Sequence, residues 1–294
     1  MRRFLLAFIA VAALWVAPSG FVRAAAPTIA IVAAENFYGD VAAQIGGPDV
    51  TVISIMSNPG QDPHAFEASP ATARALAAAD LVIFNGADYD PWVNKLIAVS
   101  PAAHRDTIVV ADLMHKAAGD NPHLWYDPAT MPALAAKLAD AFAARDPAHA
   151  DAYRQRLKSF LASLAPIDRD IAEIKAKYAG TPVTATEPVF GYMAQALGFV
   201  MRNQRFQLAV MNDTEPSARD LAAMEADLRN RSVKLLLYNS QVSDNLTERL
   251  RAIAQSAKVP VVGVAETEPP GQTYQQWITA ELAAVSTALA DGGI

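Results

Sequence analysis

The sequence predicts an α/β protein of two doubly wound lobes joined by one long rigid helix. Three observations predict it. Short apolar, β-rich runs alternate with helix-like segments in the first half of the chain, the same rhythm returns in the second half, and a continuous apolar stripe of helical period lies between them. In the first half the runs are Thr28 to Val32, Asp49 to Ile55, Leu81 to Phe84 and Thr107 to Val110. Strands that are apolar throughout, rather than alternating, indicate a parallel sheet covered on both faces. Phe37 to Ile45 reads as one intervening helix and Pro70 to Ala79 as another, with Ser69 placed to cap it and Pro70 in its first turn. In the second half the strands are Pro182 to Thr186, Val233 to Tyr238 and Val259 to Val264, with Leu246 to Ala257 as a helix.

Between the halves, Tyr153, Leu157, Phe160, Leu161, Leu164, Ile167, Ile171, Ile174 and Tyr178 step by three and four. One helix over 148–178 would reach roughly 46 Å at 1.5 Å per residue, and a connector of that kind resists wide hinge bending. Pro166 lies inside the stripe, and a helical hairpin broken there is the alternative. The expected organisation is a signal peptide at 1–25, an N-terminal α/β lobe at 26–145, the connecting helix at 146–179 and a C-terminal α/β lobe at 180–294.

The N-terminus sets the expected compartment. Arg2 and Arg3 precede a wholly apolar run from Phe4 to Val16, followed by Pro18, Gly20 and the small residues Ala24 to Ala26. The run is shorter than the ~20 residues that span a bilayer, so a cleaved secretory signal is expected rather than an anchor. The chain has 24 basic and 30 acidic residues, a formal net charge of −6; loss of Arg2, Arg3 and Arg23 with the signal makes the remainder more acidic still. No dense Lys/Arg run is present, which argues against a nucleic-acid partner. The chain contains no cysteine. Disulfides, thiolate metal sites and a cysteine nucleophile are excluded, and a lipid anchor, which needs cysteine at the cleavage site, is not expected. A periplasmic monomer is the expectation.

Five histidines are present, and two of them sit in matching frames: Asp62-Pro63-His64 and Asn121-Pro122-His123, each with an aromatic residue two positions later. A preceding proline holds the chain out of helix and fixes the direction in which the imidazole is presented. His104, His115 and His149 lack that frame and read as surface residues. Neutral imidazole is the commonest metal ligand, and in a cysteine-free chain oxygen must complete a site. Glu187 and Glu266 each follow a strand directly, at addresses where open α/β sheets bind ligands; the alternative is that both are solvated loop acids. To orient each imidazole, Glu67, Asp127, Asn85 and Asn239 are available, and Tyr89, Trp92 and Trp125 either wall the site or belong to the core.

The stretches DPHAFEASP, NPHLWYDP, TATEPVFGYMAQALG and PVVGVAETEPPGQTYQQW resemble, in order and spacing, the zinc/manganese family of solute-binding proteins of metal ABC importers. The resemblance covers essentially the whole chain beyond the signal. It implies two α/β lobes holding one divalent transition metal in the cleft between them, with His64 and His123 as ligands from the first lobe and Glu187 and Glu266 from the second. It departs from the zinc-binding pattern at Glu187, where those members commonly carry histidine, and at Glu266, where aspartate is common and Glu268 is a competing fourth ligand. Two imidazoles and two carboxylates leave Mn²⁺, Zn²⁺ and Fe²⁺ all open as the bound ion. The implied function is capture of a divalent transition metal outside the cytoplasm and delivery to the membrane permease of an ABC importer. The alternative is a secreted metal-dependent enzyme of hydrolase type built on the same cluster. It would need an open coordination position and a general base, and the chain has no His-Glu-x-x-His helix or Gly-x-Ser-x-Gly elbow.

Overall fold

A computed structural model describes residues 28–60, 66–242 and 244–292. The expected signal peptide and His64 lie outside the described residues. The first half builds a parallel sheet from β1 (Ile29–Glu35), β2 (Val50–Met56), β3 (Leu81–Phe84) and β4 (Asp106–Val109). Its helices are α1 (Asn36–Gly46), α2 (Pro70–Ala78), α3 (Pro91–Val99), α4 (Val110–Leu113) and α5 (Thr130–Arg145). Two helices follow, α6 (Ala150–Ser163) and α7 (Ala165–Tyr178). The second half adds β5 (Pro182–Ala185), α8 (Gly191–Ala196), β6 (Val200–Met201), α9 (Gln204–Met211) and α10 (Ala218–Arg229). It ends with β7 (Leu236–Asn239), α11 (Asn245–Ser256), β8 (Val261–Val264) and α12 (Tyr274–Asp291).

The sheet orders are β2-β1-β3-β4 and β6-β5-β7-β8, every pair parallel, so the second sheet repeats the first strand for strand. Both are covered on two faces, which is why their central strands read as unbroken apolar runs. In β1, Ile29, Ile31 and Ala33 face one core with α1 and α5, whereas Val32 and Ala34 face a second core with Leu76 of α2 and Val93 of α3. In the second half, Leu235 and Leu237 join the first core while Leu236 packs with Phe206, Met224, Leu228 and Leu250 of α9, α10 and α11. Local chemistry sets the helix starts: the Ser69 hydroxyl accepts from the Thr72 amide in a capping box, as its position before Pro70 predicts, and Thr273 does the same for α12.

The expected single connecting helix is instead two successive helices. Pro166 has no amide hydrogen to give the carbonyl of Ala162, and the hydrogen-bonding pattern breaks at Leu164, whose amide turns to the carbonyl of Leu161. Leu164 keeps right-handed helical dihedrals (φ −82°, ψ −13°), so the chain does not reverse into a hairpin. The stripe still faces inward, with Tyr153, Phe160, Leu164, Ile167 and Ile174 buried and Leu161 as the exposed member. α6 packs on α5 and α1, and α7 packs on α12. A short strand not legible in the sequence, β6, forms one edge of the second sheet.

Candidate functional site

In each sheet the strand order reverses between the first and third strands, and ligands of open α/β sheets bind beyond the carboxyl ends of strands at that reversal. Glu35 ends β1, and Asn85 follows β3; in the second sheet Glu187 follows β5 by two residues, Asn239 ends β7 and Glu266 follows β8 by two. The two sets of strand ends meet. Asn36 and Glu268 exchange hydrogen bonds, Nδ2 to the Glu268 carbonyl at 2.7 Å and the Glu268 amide to Oδ1 at 3.1 Å. The Tyr126 hydroxyl reaches from the first half to the Ala265 carbonyl at 2.8 Å and to Glu281 at 2.6 Å.

His123 is fully buried at this junction. Its loop is pinned by Asn85, whose Nδ2 donates to the Pro122 carbonyl at 2.9 Å while its Oδ1 accepts from the Tyr38 hydroxyl at 2.6 Å. Asn121 Oδ1 accepts from the His123 backbone amide at 3.1 Å and lies 2.6 Å from His123 Nδ1. Since an amide oxygen can only accept, Nδ1 carries a hydrogen, and Nε2 is the nitrogen turned towards the site. That Nε2 lies 3.2 Å from Glu266 Oε2, with both side chains shielded from solvent. A ring nitrogen facing a carboxylate oxygen at this distance is matched by a cation shared between them, a proton or a metal ion. Trp125 and Tyr89 set their rings against the imidazole, with centroids at 5.3 and 6.1 Å.

The carboxylates are organised by a single amide. Asn239 Nδ2 donates to Glu266 Oε1 at 2.5 Å and to Glu187 Oε2 at 2.9 Å, and all three residues are buried. Gln241 Oε1 accepts from the Glu266 backbone amide at 2.6 Å. The Tyr89 hydroxyl is in hydrogen-bonding contact with Glu266, and burial followed by the Glu266 charge pushes its ionisation well above the usual tyrosine range. For Glu268, burial, then the charge of Asp40, pushes the carboxyl up to about 9.

The structure thus brings His123 and Glu266 together directly and Glu187 to Glu266 through Asn239. Among the described residues it does not bring three or more His, Asp or Glu side chains close enough to hold a metal ion. One suggested orienting residue is corrected. Asp127 does not reach His123, because the 3₁₀ turn over Leu124–Tyr126 carries it away to accept from the Ala129 amide at 3.0 Å, and Asn121 orients the ring instead. Glu67 is exposed, and His64, the ring it was suggested to orient, lies outside the described residues. Asn85 and Asn239, the two amides at strand ends, do orient the loop and the carboxylates. His104 and His115 are exposed, and His149 pairs with Asp146 at 2.6 Å, away from the site.

Sequence reasoning missed the buried acids Glu35 and Asp90. Asp90 accepts from the Asn85 and Gly86 amides at 2.6 and 2.8 Å, closing a loop in which Gly86, Ala87 and Asp88 all adopt left-handed φ (77°, 49°, 63°) and which delivers Tyr89 to the imidazole. Burial, then the charge of Asp90, pushes Glu35 well above the usual carboxylate range. The signal was available, since Glu35 closes an apolar strand just as Glu187 and Glu266 follow theirs.

A family model described as the periplasmic zinc-uptake complex component A matches residues 31–288, nearly the whole described chain. The chain belongs to this family. Similar curated proteins include the manganese ABC transporter substrate-binding lipoprotein PsaA of Streptococcus mitis, 23% identical over 88% of this chain and 89% of the relative, and the manganese-binding lipoprotein MntA of Bacillus subtilis, 26% identical over 80% and 78%. Among solved structures, the periplasmic zinc-binding protein TroA of Treponema pallidum superposes with a TM-score of 0.74 at 20% identity, covering 89% of this chain and 99% of that one. A manganese-bound periplasmic metal-binding protein of Candidatus Liberibacter asiaticus superposes equally well, TM-score 0.74 at 19% identity, with 88% and 98% coverage. These likenesses establish the fold: two parallel-sheet lobes of the solute-binding type. The family is one of substrate-binding components of ABC transporters, not of enzymes.

Proposed function

We propose that this protein captures one divalent transition metal ion outside the cytoplasm and hands it to the membrane permease of an ABC importer, with His123, Glu266, Glu187 and His64 as the ligands. The observation that carries the reading is the pairing of His123 Nε2 with Glu266 Oε2 at 3.2 Å in a site closed to water, where the Nδ1 hydrogen is already committed to Asn121. A metal ion entering between the two would replace the proton that otherwise has to be shared there. Glu187, held on the same amide as Glu266, is the next oxygen within reach. His64 belongs to the other Pro-His frame and completes a two-nitrogen, two-carboxylate set.

Family membership supports capture and delivery rather than covalent turnover. The ion is one of Mn²⁺, Zn²⁺ and Fe²⁺: carboxylate oxygen suits manganese, while the Irving–Williams order gives zinc the higher simple affinity at the same donors. We read the chain as a monomer of two lobes, 26–145 and 180–294, on the connector 146–179, exported by the segment 1–25. Among the described residues no helix is long and apolar enough to cross a membrane.

The test is calorimetric titration of metal-stripped protein with Mn²⁺ and with Zn²⁺, with native mass spectrometry for stoichiometry. One ion per chain at sub-micromolar affinity is expected for at least one metal, lost on His123→Ala. Binding that is absent for both ions, or unchanged in the variant, overturns the reading. The ratio of the two affinities selects the metal.

A further inference from the structure

The amide of Asn121 has two ends, and the structure uses both. Its Oδ1 accepts from the backbone and Nδ1 of His123, at 3.1 and 2.6 Å. Its Nδ2 donates across the cleft to the carbonyl of Pro188 at 2.8 Å, the residue directly after Glu187. The backbone carbonyl of Asn121 also accepts from the Tyr192 hydroxyl at 2.7 Å. The opposing surface is shaped for this contact: a Cβ on Gly191, the first residue of α8, would lie 2.9 Å from Asn121 Nδ2. The backbone of Gly191 is ordinary helix (φ −58°), so the missing side chain there serves close approach rather than an unusual conformation.

We propose that Asn121 is a positioning residue that couples the tautomer of His123 to closure of the cleft. One side chain holds a hydrogen on Nδ1, which leaves Nε2 as the nitrogen turned towards Glu266, and clips the same loop to the segment carrying Glu187. The two ends are linked: swinging the amide away from Pro188 to open the cleft also withdraws the oxygen that fixes the imidazole. A ring released in this way can take the other tautomer, whose Nε2–H cannot coordinate a metal. Opening would then weaken one ligand from each lobe at once. This deepens the metal-capture reading and rests on it for its consequence, but the positioning itself is measurable without metal.

The test separates the two ends of the amide in the full chain. Asn121→Asp keeps an acceptor for Nδ1–H and removes the donor to Pro188; Gly191→Ala keeps both groups and crowds the donor; Asn121→Ala removes both. Long-range ¹H–¹⁵N spectra of the metal-free protein, with the His123 resonances assigned by their loss in His123→Gln, report the tautomer. Chelator-driven release of Mn²⁺ or Zn²⁺, whichever binds, is followed by stopped flow. The wild type and Asn121→Asp should show Nδ1–H, and Asn121→Ala should shift towards Nε2–H. Release should accelerate at least tenfold in Asn121→Asp and Gly191→Ala. A wild-type Nε2–H tautomer, or an Nδ1–H tautomer retained in Asn121→Ala, overturns the positioning role; wild-type release rates in both Asn121→Asp and Gly191→Ala overturn the coupling. Should Asn121→Ala fail to fold, the wild-type tautomer and the other two variants still decide. If the wild type binds neither metal, the capture reading falls, and the spectra alone judge the positioning.

Discussion

Replacing Asn239 with leucine tests how the buried carboxylates are held. The amide nitrogen donates to Glu266 at 2.5 Å and to Glu187 at 2.9 Å, so the two carboxyl groups lie within one atom's reach of each other. Two like charges roughly 5 Å apart repel by about 3 kcal/mol at an effective dielectric constant near 20. Each hydrogen bond to a charged group contributes about 1.5–3 kcal/mol. Leucine has the same number of side-chain heavy atoms as asparagine and cannot donate. The metal-free variant should therefore lose about 3–6 kcal/mol, the two hydrogen bonds together. A bound dication should shrink the loss by at least half, because it neutralises the pair that the amide otherwise holds. Urea denaturation with and without the metal found by titration measures this. A destabilisation indifferent to metal would show that Asn239 acts through packing, and would refute the argument.

Three other outcomes are expected. His123→Ala should lower metal affinity by at least a hundredfold by calorimetry while leaving the far-ultraviolet circular dichroism unchanged. Glu266→Ala should weaken binding far more than Glu268→Ala, because Glu266 lies 3.2 Å from His123, whereas the neighbouring charge that acts on Glu268 is that of Asp40; the reverse ranking would transfer the ligand role to Glu268. Glu281 is pushed up to about 7 by burial, although the Tyr126 hydroxyl, the Trp277 indole and the Ala265 amide all donate to it. The folded state then holds a proton that the unfolded chain releases near pH 4.5, so stability should fall as pH rises from about 4.5 to 7. In Glu281→Gln that part of the pH dependence should vanish from thermal melts taken across the same range.

The sheets were legible because their central strands are buried on both faces and so appear as apolar runs; Leu81 to Phe84 is found as read. The edge strand β6 was not, because two residues, one of them half exposed, leave no period to detect. The connector's stripe was legible, but a single missing amide hydrogen at Pro166 interrupts the backbone without disturbing side-chain spacing. At the site, the Pro-His frame singled out His123 and the strand ends singled out Glu187 and Glu266. What escaped was direction. Asp127 and Asn121 are both close to His123 in sequence, and only the 3₁₀ turn between His123 and Asp127 decides that the ring is served from the N-terminal side. Glu35 and Asp90, far apart along the chain, meet only because β1 and β3 are adjacent.

The largest apolar cluster belongs to neither half alone. It runs without interruption from β1 and α1 through α5, α6 and α7 to α8, β5, β7, β8 and α12, while the outer face of each sheet has a smaller cluster of its own. Cooperativity follows contiguity, so this shared interior should make the two halves melt as one unfolding unit. The outer layers are different. α2 and α3 on one side, and α9, α10 and α11 on the other, rest on local cores, so they should open without the common one and their amides should exchange with solvent first. The slowest-exchanging amides are then expected in the interior that both sheets share, and the fastest in the layers on their outer faces.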